Sequence, residues 1–130
     1  MTHCPHTIGA DQPLRAAHEL MRRHSIRHLP VLRGSQLVGI VSQRDLHFIE
    51  TLSGVDTETV PVGDAMSTEL YTVGPRASLR KVAAEMADRR YGSAVVVENE
   101  RVIGILTTVD GLRALSLHLA ERRREGAAGR

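Results

Sequence analysis

Two short polar strings in this chain have residue types that can do chemistry: Ser42-Gln-Arg-Asp45 and Thr107-Thr-Val-Asp110. Each follows an apolar pair headed by glycine, Gly39-Ile-Val and Gly104-Ile-Leu. A hydroxyl with a carboxylate three residues on makes a capping box, which satisfies free N–H groups at a helix start. The same arrangement can serve a ligand. Free N–H groups there attract phosphate, and a nearby carboxylate accepts hydrogen bonds from a ribose diol. Residue types alone leave both readings open, and the chain carries the pair twice.

Other chemistry is less well supported. Seven histidines and one cysteine prompt a search for metal ligands. His3-Cys4-Pro5-His6 is compact but terminal, and proline interrupts it. His18-Glu19 lacks the second histidine of a zinc-protease helix motif, and His24 and His28 straddle a helix end. There is no nucleophile elbow, phosphate-binding P-loop or dinucleotide glycine fingerprint. The expectation is therefore a protein that is not an enzyme and holds no metal.

The elements that position the two strings are themselves duplicated. Residues 7–47 recur at 72–112 with a constant offset of 65, no gap and nine identities, among them Gly39/Gly104, Ile40/Ile105 and Asp45/Asp110. Neither copy is long enough to bury a good core alone, so the two must pack together. Each opens on a short β-like segment, Thr7-Ile8 or Thr72-Val73. A helix follows, with Leu14, Ala17, His18 and Met21 or Leu79, Val82, Ala83 and Met86 on one core-facing stripe. Leu29–Leu32 with Leu37–Ser42, and Ala94–Val97 with Val102–Thr107, read as hairpins. A second helix starts after each signature, at about Arg44–Leu52 and Asp110–Arg124. Val62–Met66 reads as one helical turn leading into the second copy.

Composition limits the function classes. A chain of 130 residues fits one tightly paired unit, and aromatics of only 2% make the core aliphatic and argue against stacking platforms for single-stranded nucleic acid. The net charge of +2 is concentrated at the end, in Arg122-Arg-Arg124 and Arg130, and reads as a solvated tail. No helix-turn-helix or basic helix is visible, so no nucleic-acid partner is expected. The single Cys4 suits a reducing compartment, and no apolar run has membrane-spanning length, so a cytoplasmic protein without a membrane partner is expected.

A gapless tandem of β-α-β-β-α units, each ending Gly-h-h-[Ser/Thr]-x-x-Asp, resembles a CBS-domain pair (a Bateman module). Asp64-Ala-Met66-Ser67 and Ile26-Arg-His-Leu-Pro-Val31 support the resemblance, which covers about residues 1–120. It implies an α+β fold with a first repeat at 1–53, a linker at 54–65, a second repeat at 66–121 and a disordered basic tail at 122–130. The repeats would form a pseudo-twofold pair with two clefts for adenosine-type regulatory ligands: AMP, ADP, ATP or S-adenosylmethionine, with no cofactor required. One cleft would use Thr7, Ile8, Arg27, His28, Leu29 and Pro30 with Thr107 and Asp110. The other would use Thr72, Val73, Gly92, Ser93, Ala94 and Val95 with Ser42, Arg44 and Asp45. By the same resemblance the acids accept from ribose and the hydroxyls bond phosphate or ribose. Ile8, Leu29, Val73 and Ala94 wall the adenine, and Arg27, His28 and Arg44 neutralise phosphate. Arg27 and His28 also fit plain loop positions.

The copies differ where it matters. Gly92-Ser93-Ala94 stands for Arg27-His28-Leu29 and Val109 for Arg44, so the clefts divide their cations unequally. The offset pairs Met1-Thr2 with Met66-Ser67, so either the chain is clipped or its natural start lies upstream. Leu112, Leu115, Leu117 and Leu119, with Ala114 and Ala120, give the last helix more apolar surface than a solvated helix needs. A homodimer is expected on that ground; the resemblance further implies an unknown effector protein as a partner and energy sensing as the role. The alternative is a ligand-free dimerisation or docking module.

Overall fold

The computed structural model describes residues 2–3 and 5–128, with side chains placed for 5–126. The first repeat contains β2 (Ile8–Gly9), α1 (Leu14–His24), β3 (His28–Arg33), β4 (Gln36–Ser42) and α2 (Gln43–Glu50), preceded by β1 (Thr2–His3). A 3-10 turn at Val62–Asp64 leads to β5 (Thr72–Val73), α3 (Leu79–Arg89), β6 (Ser93–Glu98), β7 (Arg101–Thr107) and α4 (Thr108–Ala128). This is the expected α+β tandem, with the two short opening strands and both hairpins present. The last helix runs on to Ala128, through the segment read as tail; Gly129 and Arg130 lie outside the described residues.

The offset of 65 governs pairing as well as sequence. His28 faces Ser42 as Ser93 faces Thr107, and Ile8 faces Val31 as Val73 faces Val96. A bulge at Val31/Leu32 recurs at Val96/Val97. Both first helices end on a left-handed residue, Ser25 (φ 53°) and Arg90 (φ 60°), whose N–H groups return to the last-turn carbonyls.

The lead-in segments cross over. β1 pairs antiparallel with β7 of the second repeat, Thr2 against Ile105. The corresponding Ser67 bridges Ile40 of the first, with Ser67 N–H donating to Ile40 O at 2.8 Å and Ile40 N–H to Ser67 O at 2.9 Å. This crossing explains the signature glycine. A Cβ on Gly39 would sit 2.8 Å from Ser67 O and 2.5 Å from Met66 Sδ, so no side chain fits.

The cores are unequal. The first repeat buries Ile8, Leu14, Ala17, Met21, Leu29, Val31, Val41 and Leu46, with Val62 of the linker closing over them. The second gathers Val82, Met86 and Ala94, with Tyr71, Val73, Tyr91 and Leu106 against them. The expected core stripe on α3 is therefore only half correct. Leu79 is 59% exposed and Ala83 is exposed, and among the described residues no counterpart of Val62 closes over the second core.

Candidate functional site

Strand β7 delivers Thr107 to the start of α4, and the capping box forms. Asp110 N–H donates to Thr107 Oγ1 at 3.2 Å, and Thr107 N–H donates to Asp110 Oδ2 at 2.9 Å. Ser42 and Asp45 repeat this at 3.0 and 2.8 Å. Capping and ligand binding are compatible here. The box uses one oxygen of each carboxylate and fixes its orientation. Among the described residues no hydrogen bond reaches Oδ1 of Asp110, which leaves that oxygen for a ligand.

A cavity of about 370 Å³ is lined by Pro5, His6, Ser25, Ile26, Arg27 and His28 of one repeat and Ile105, Thr107, Val109, Asp110 and Arg113 of the other. Its size is that of small-ligand sites. The structure thus brings Arg27, His28, Thr107 and Asp110 together across the repeat boundary. Ile8, Leu29 and Pro30 do not line the cavity: all three are buried, Ile8 and Leu29 in the first core. Alternation along a strand cannot separate these roles, because β3 buries Leu29, Pro30 and Val31 in succession. Thr7 lies in a different groove, with Gly9, Gln12 and Arg23.

In the second predicted cleft, Ala94 and Val95 are buried within β6. Val73 and Ser93 are half-buried, as are Ser42 and Asp45, while Thr72, Gly92 and Arg44 are exposed. Gly92 meets the other repeat at the pseudo-twofold axis, where a Cβ on it would touch His28 Nε2 at 3.7 Å.

His28 is held below the ordinary histidine value of 6.5. Loss of hydration is the main cause, and Arg27 adds to it, against the opposing pull of Asp45 and Asp110. Near neutral pH the ligand-free protein therefore holds His28 as a neutral imidazole. Positive charge falls to Arg27 and to Arg113, which the sequence reading missed. Arg113 lies three residues beyond Asp110, on the same helix face, and that spacing was the available signal. His6 was also missed. It stacks on His24 with ring centroids 3.5 Å apart. His24 too is held low, by lost hydration against its surroundings and then by the charges of His6 and Arg23.

The other donor groups lie elsewhere. His18 bonds Glu50 and stacks on His47, across α1 and α2. A larger open groove of about 620 Å³ there, lined by Arg15, His18 and Arg22, belongs to one repeat alone and contains neither signature acid. Among the described residues no three His, Cys, Asp or Glu side chains converge as a metal site. Cys4 of the terminal donor cluster lies outside the described residues. No described helix is long and apolar enough to cross a membrane.

Comparison with known proteins agrees with this fold. The family model for the CBS domain matches residues 1–48 and again 62–117. The CBS domain-containing protein YhcV of Bacillus subtilis (strain 168) is 31% identical over 104 residues, covering 80% of this chain and 74% of YhcV. A crystal structure of a protein assigned to acetoin utilization (AcuB) from Vibrio cholerae superposes with a TM-score of 0.81 at 35% identity, covering 96% of this chain and 92% of that one. The CBS domain pair of protein MJ0100, in complex with 5-methylthioadenosine and S-adenosyl-L-methionine, shares the fold with a TM-score of 0.78 at 24% identity, covering 89% of this chain and 91% of that one.

Proposed function

The chain belongs to the CBS domain family, and from that premise we propose that it is a non-catalytic regulatory module that binds an adenosine-type ligand between its two repeats. The observation that carries this reading is the cavity where Arg27 and His28 of one repeat face Thr107 and Asp110 of the other. Asp110, clamped by its capping box, accepts from the ribose diol through Oδ1. Arg27 and Arg113 neutralise phosphate with charge-assisted hydrogen bonds. The adenosine ligands in the complex of MJ0100 support the ligand class.

The mechanism is linkage. A ligand that touches both repeats favours the arrangement in which its contacts are made, and an effector protein reads that arrangement. The nucleotides AMP, ADP and ATP fit an energy-sensing role; S-adenosylmethionine fits a sensor of methyl supply. The single Cys4 supports a cytoplasmic setting.

A homodimer completes the reading. Leu112, Leu115 and Leu119 stand on α4 at i, i+3 and i+7, and each is more than half exposed. A second copy covers that stripe at less cost than water does. A thermal-shift panel of AMP, ADP, ATP, S-adenosylmethionine and NAD tests the ligand, because binding to the folded state alone adds about 2.7 kcal/mol at a hundredfold excess over Kd. No shift with any adenine compound at millimolar concentration would leave the docking-module alternative, which the exposed leucines favour. Light scattering that finds a monomer at high concentration, with and without nucleotide, would refute the dimer.

A further inference from the structure

The two lead-in segments both cross to the opposite sheet, but they are tied down differently. The second is fixed by the paired bonds of Ser67 and Ile40, and it follows directly on the turn at Val62–Asp64, whose Val62 is fully buried. The first is a strand of two residues, Thr2 and His3 against Ile105 and Gly104. Among the described residues its further tie is a pair of rings. His6, between β1 and β2, lies flat on His24 in the last turn of α1, with centroids 3.5 Å apart and planes 13° from parallel. The offset of 65 puts Tyr71 and Arg89 in those two places, so the second crossing has no such pair.

The first lead-in is also a wall of the cavity. Pro5 and His6 line it, and so does Ile105, the residue against which Thr2 is paired. Detaching the segment removes two lining residues and bares the edge of β7 beside a third.

Neutral imidazoles stack as other flat rings do, and a single proton on the pair leaves only one charge. Two imidazolium ions at that distance repel. The surroundings do not relieve them. Arg23 adjoins His24 on α1, and its guanidinium is taken up by Glu19 at 3.1 Å. Arg27 and His28 face the cavity from the entry to β3, and Asp110 and Arg113 from α4. The two signature acids favour the charged form of His28. His24 gets no such help: lost hydration, then His6 and Arg23, all disfavour its charged form. Both rings of the stack are exposed, so protons reach them from solvent.

We infer that the first lead-in is an acid-released strap across the cavity, latched by the His6–His24 stack and let go when both rings are protonated. The latched form binds fewer protons than the released one. Acidification below the ordinary histidine value therefore favours release, by up to about tenfold per pH unit for each proton taken up. Release opens the cavity on the side of Pro5 and His6. The consequence for a ligand rests on the adenosine-type reading: a molecule held between the repeats loses that wall in acid and binds more weakly.

The latch is tested on the ligand-free full chain by nuclear magnetic resonance. Amide exchange at Ile105, corrected for its intrinsic pH dependence, is compared with exchange at Ile40, the same position in the crossing without imidazoles. Between about pH 7 and about pH 5.5, protection at Ile105 should fall about tenfold. The through-space signal between the two rings should disappear with it, while Ile40 keeps its protection. His6→Phe retains a flat ring that cannot take a proton, and it should hold the strap at both pH values. His6 is exposed and outside the core, so this substitution does not unfold the chain. Equal changes at Ile105 and Ile40, or release that persists in His6→Phe, overturns the strap and leaves the adenosine-type reading standing. Conversely, a thermal-shift panel without any response to adenine compounds removes that reading and does not touch the exchange result.

Discussion

The two repeats have the same fold, yet the first is a closed structure and the second an open one. Leu14 and Leu79 are the same residue at the same place, and one is fully buried while the other is 59% exposed. The linker makes the difference. Its backbone takes up the free N–H groups of α1, with Leu14 donating to Val60 O at 3.0 Å and Arg15 to Thr57 O at 2.9 Å. Pro13, which can offer no capping side chain, begins that helix. In the second repeat Ser78 stands at the equivalent position and caps α3 by itself, accepting from Lys81 N–H at 3.4 Å. The segment between the repeats is thus a structural part of the first. A repeated sequence reproduces backbone geometry, but burial depends on what else the chain lays over it.

The largest test of this contrast is a matched pair. Leu14→Ala should cost about 2–5 kcal/mol of stability as a core truncation. Leu79→Ala, at concentrations too low for self-association, should stay within about 0.5 kcal/mol. Denaturant unfolding measures both, and equal losses would show that the second core is as closed as the first. Next come the signature acids. Asp110→Asn keeps an oxygen for Thr107 N–H, so the melting temperature of the free protein should hold. It loses the charge presented to ribose, and affinity for the best adenine ligand should fall about tenfold, some 1.4 kcal/mol. Asp45→Asn should cost less for a phosphorylated ligand. Calorimetry that ranks the two the other way would assign the phosphate to the opposite cleft.

A smaller effect concerns the hairpin turns. The first turn places Gly34 at φ 65°, whereas the second holds both Asn99 (φ 50°) and Glu100 (φ 65°) in the left-handed region. Glu100→Gly installs the Asn-Gly pair that such a turn prefers. It should raise stability by about 1 kcal/mol in thermal unfolding; a decrease would place the turn in another conformation. The smallest effect is with pH. Because His28 is held below 6.5, the unfolded chain binds more protons than the folded one as pH falls through that value. The stability associated with neutral His28 is complete above it and declines on acidification until the folded imidazole is itself protonated. His28→Gln should flatten this part of a plot of Tm against pH, and an unchanged slope would assign the loss to other groups, His24 first.

Much of the fold was legible because the apolar periods and the constant offset depend on local geometry. The four hairpin strands and both first helices follow from them, whereas the pairing of Arg27 and His28 with Thr107 and Asp110 across the repeats came from the family resemblance. What was not legible depends on contacts between distant segments. Nothing local says that Ile8 and Leu29 turn inward, that Leu79 goes uncovered, or that His6 arrives at the cavity through a crossing strand. The reason for Gly39 was equally hidden, since its neighbour is Met66 of the other repeat. Arg113 is different, since helical spacing from Asp110 was enough to find it.

The crossed lead-in segments bear on how the chain is made. Thr2 leaves the ribosome long before Ile105, the residue it pairs with. The first sheet likewise waits for Ser67 before Ile40 has its partner. The first repeat cannot be finished during its own synthesis, and the last sheet edge closes only when almost the whole chain is available. Pairings of such sequence separation form late and slowly. Until then the nascent first repeat presents an unpaired edge at Gly39-Ile40, which is where a chaperone would be needed and where two growing chains could exchange segments.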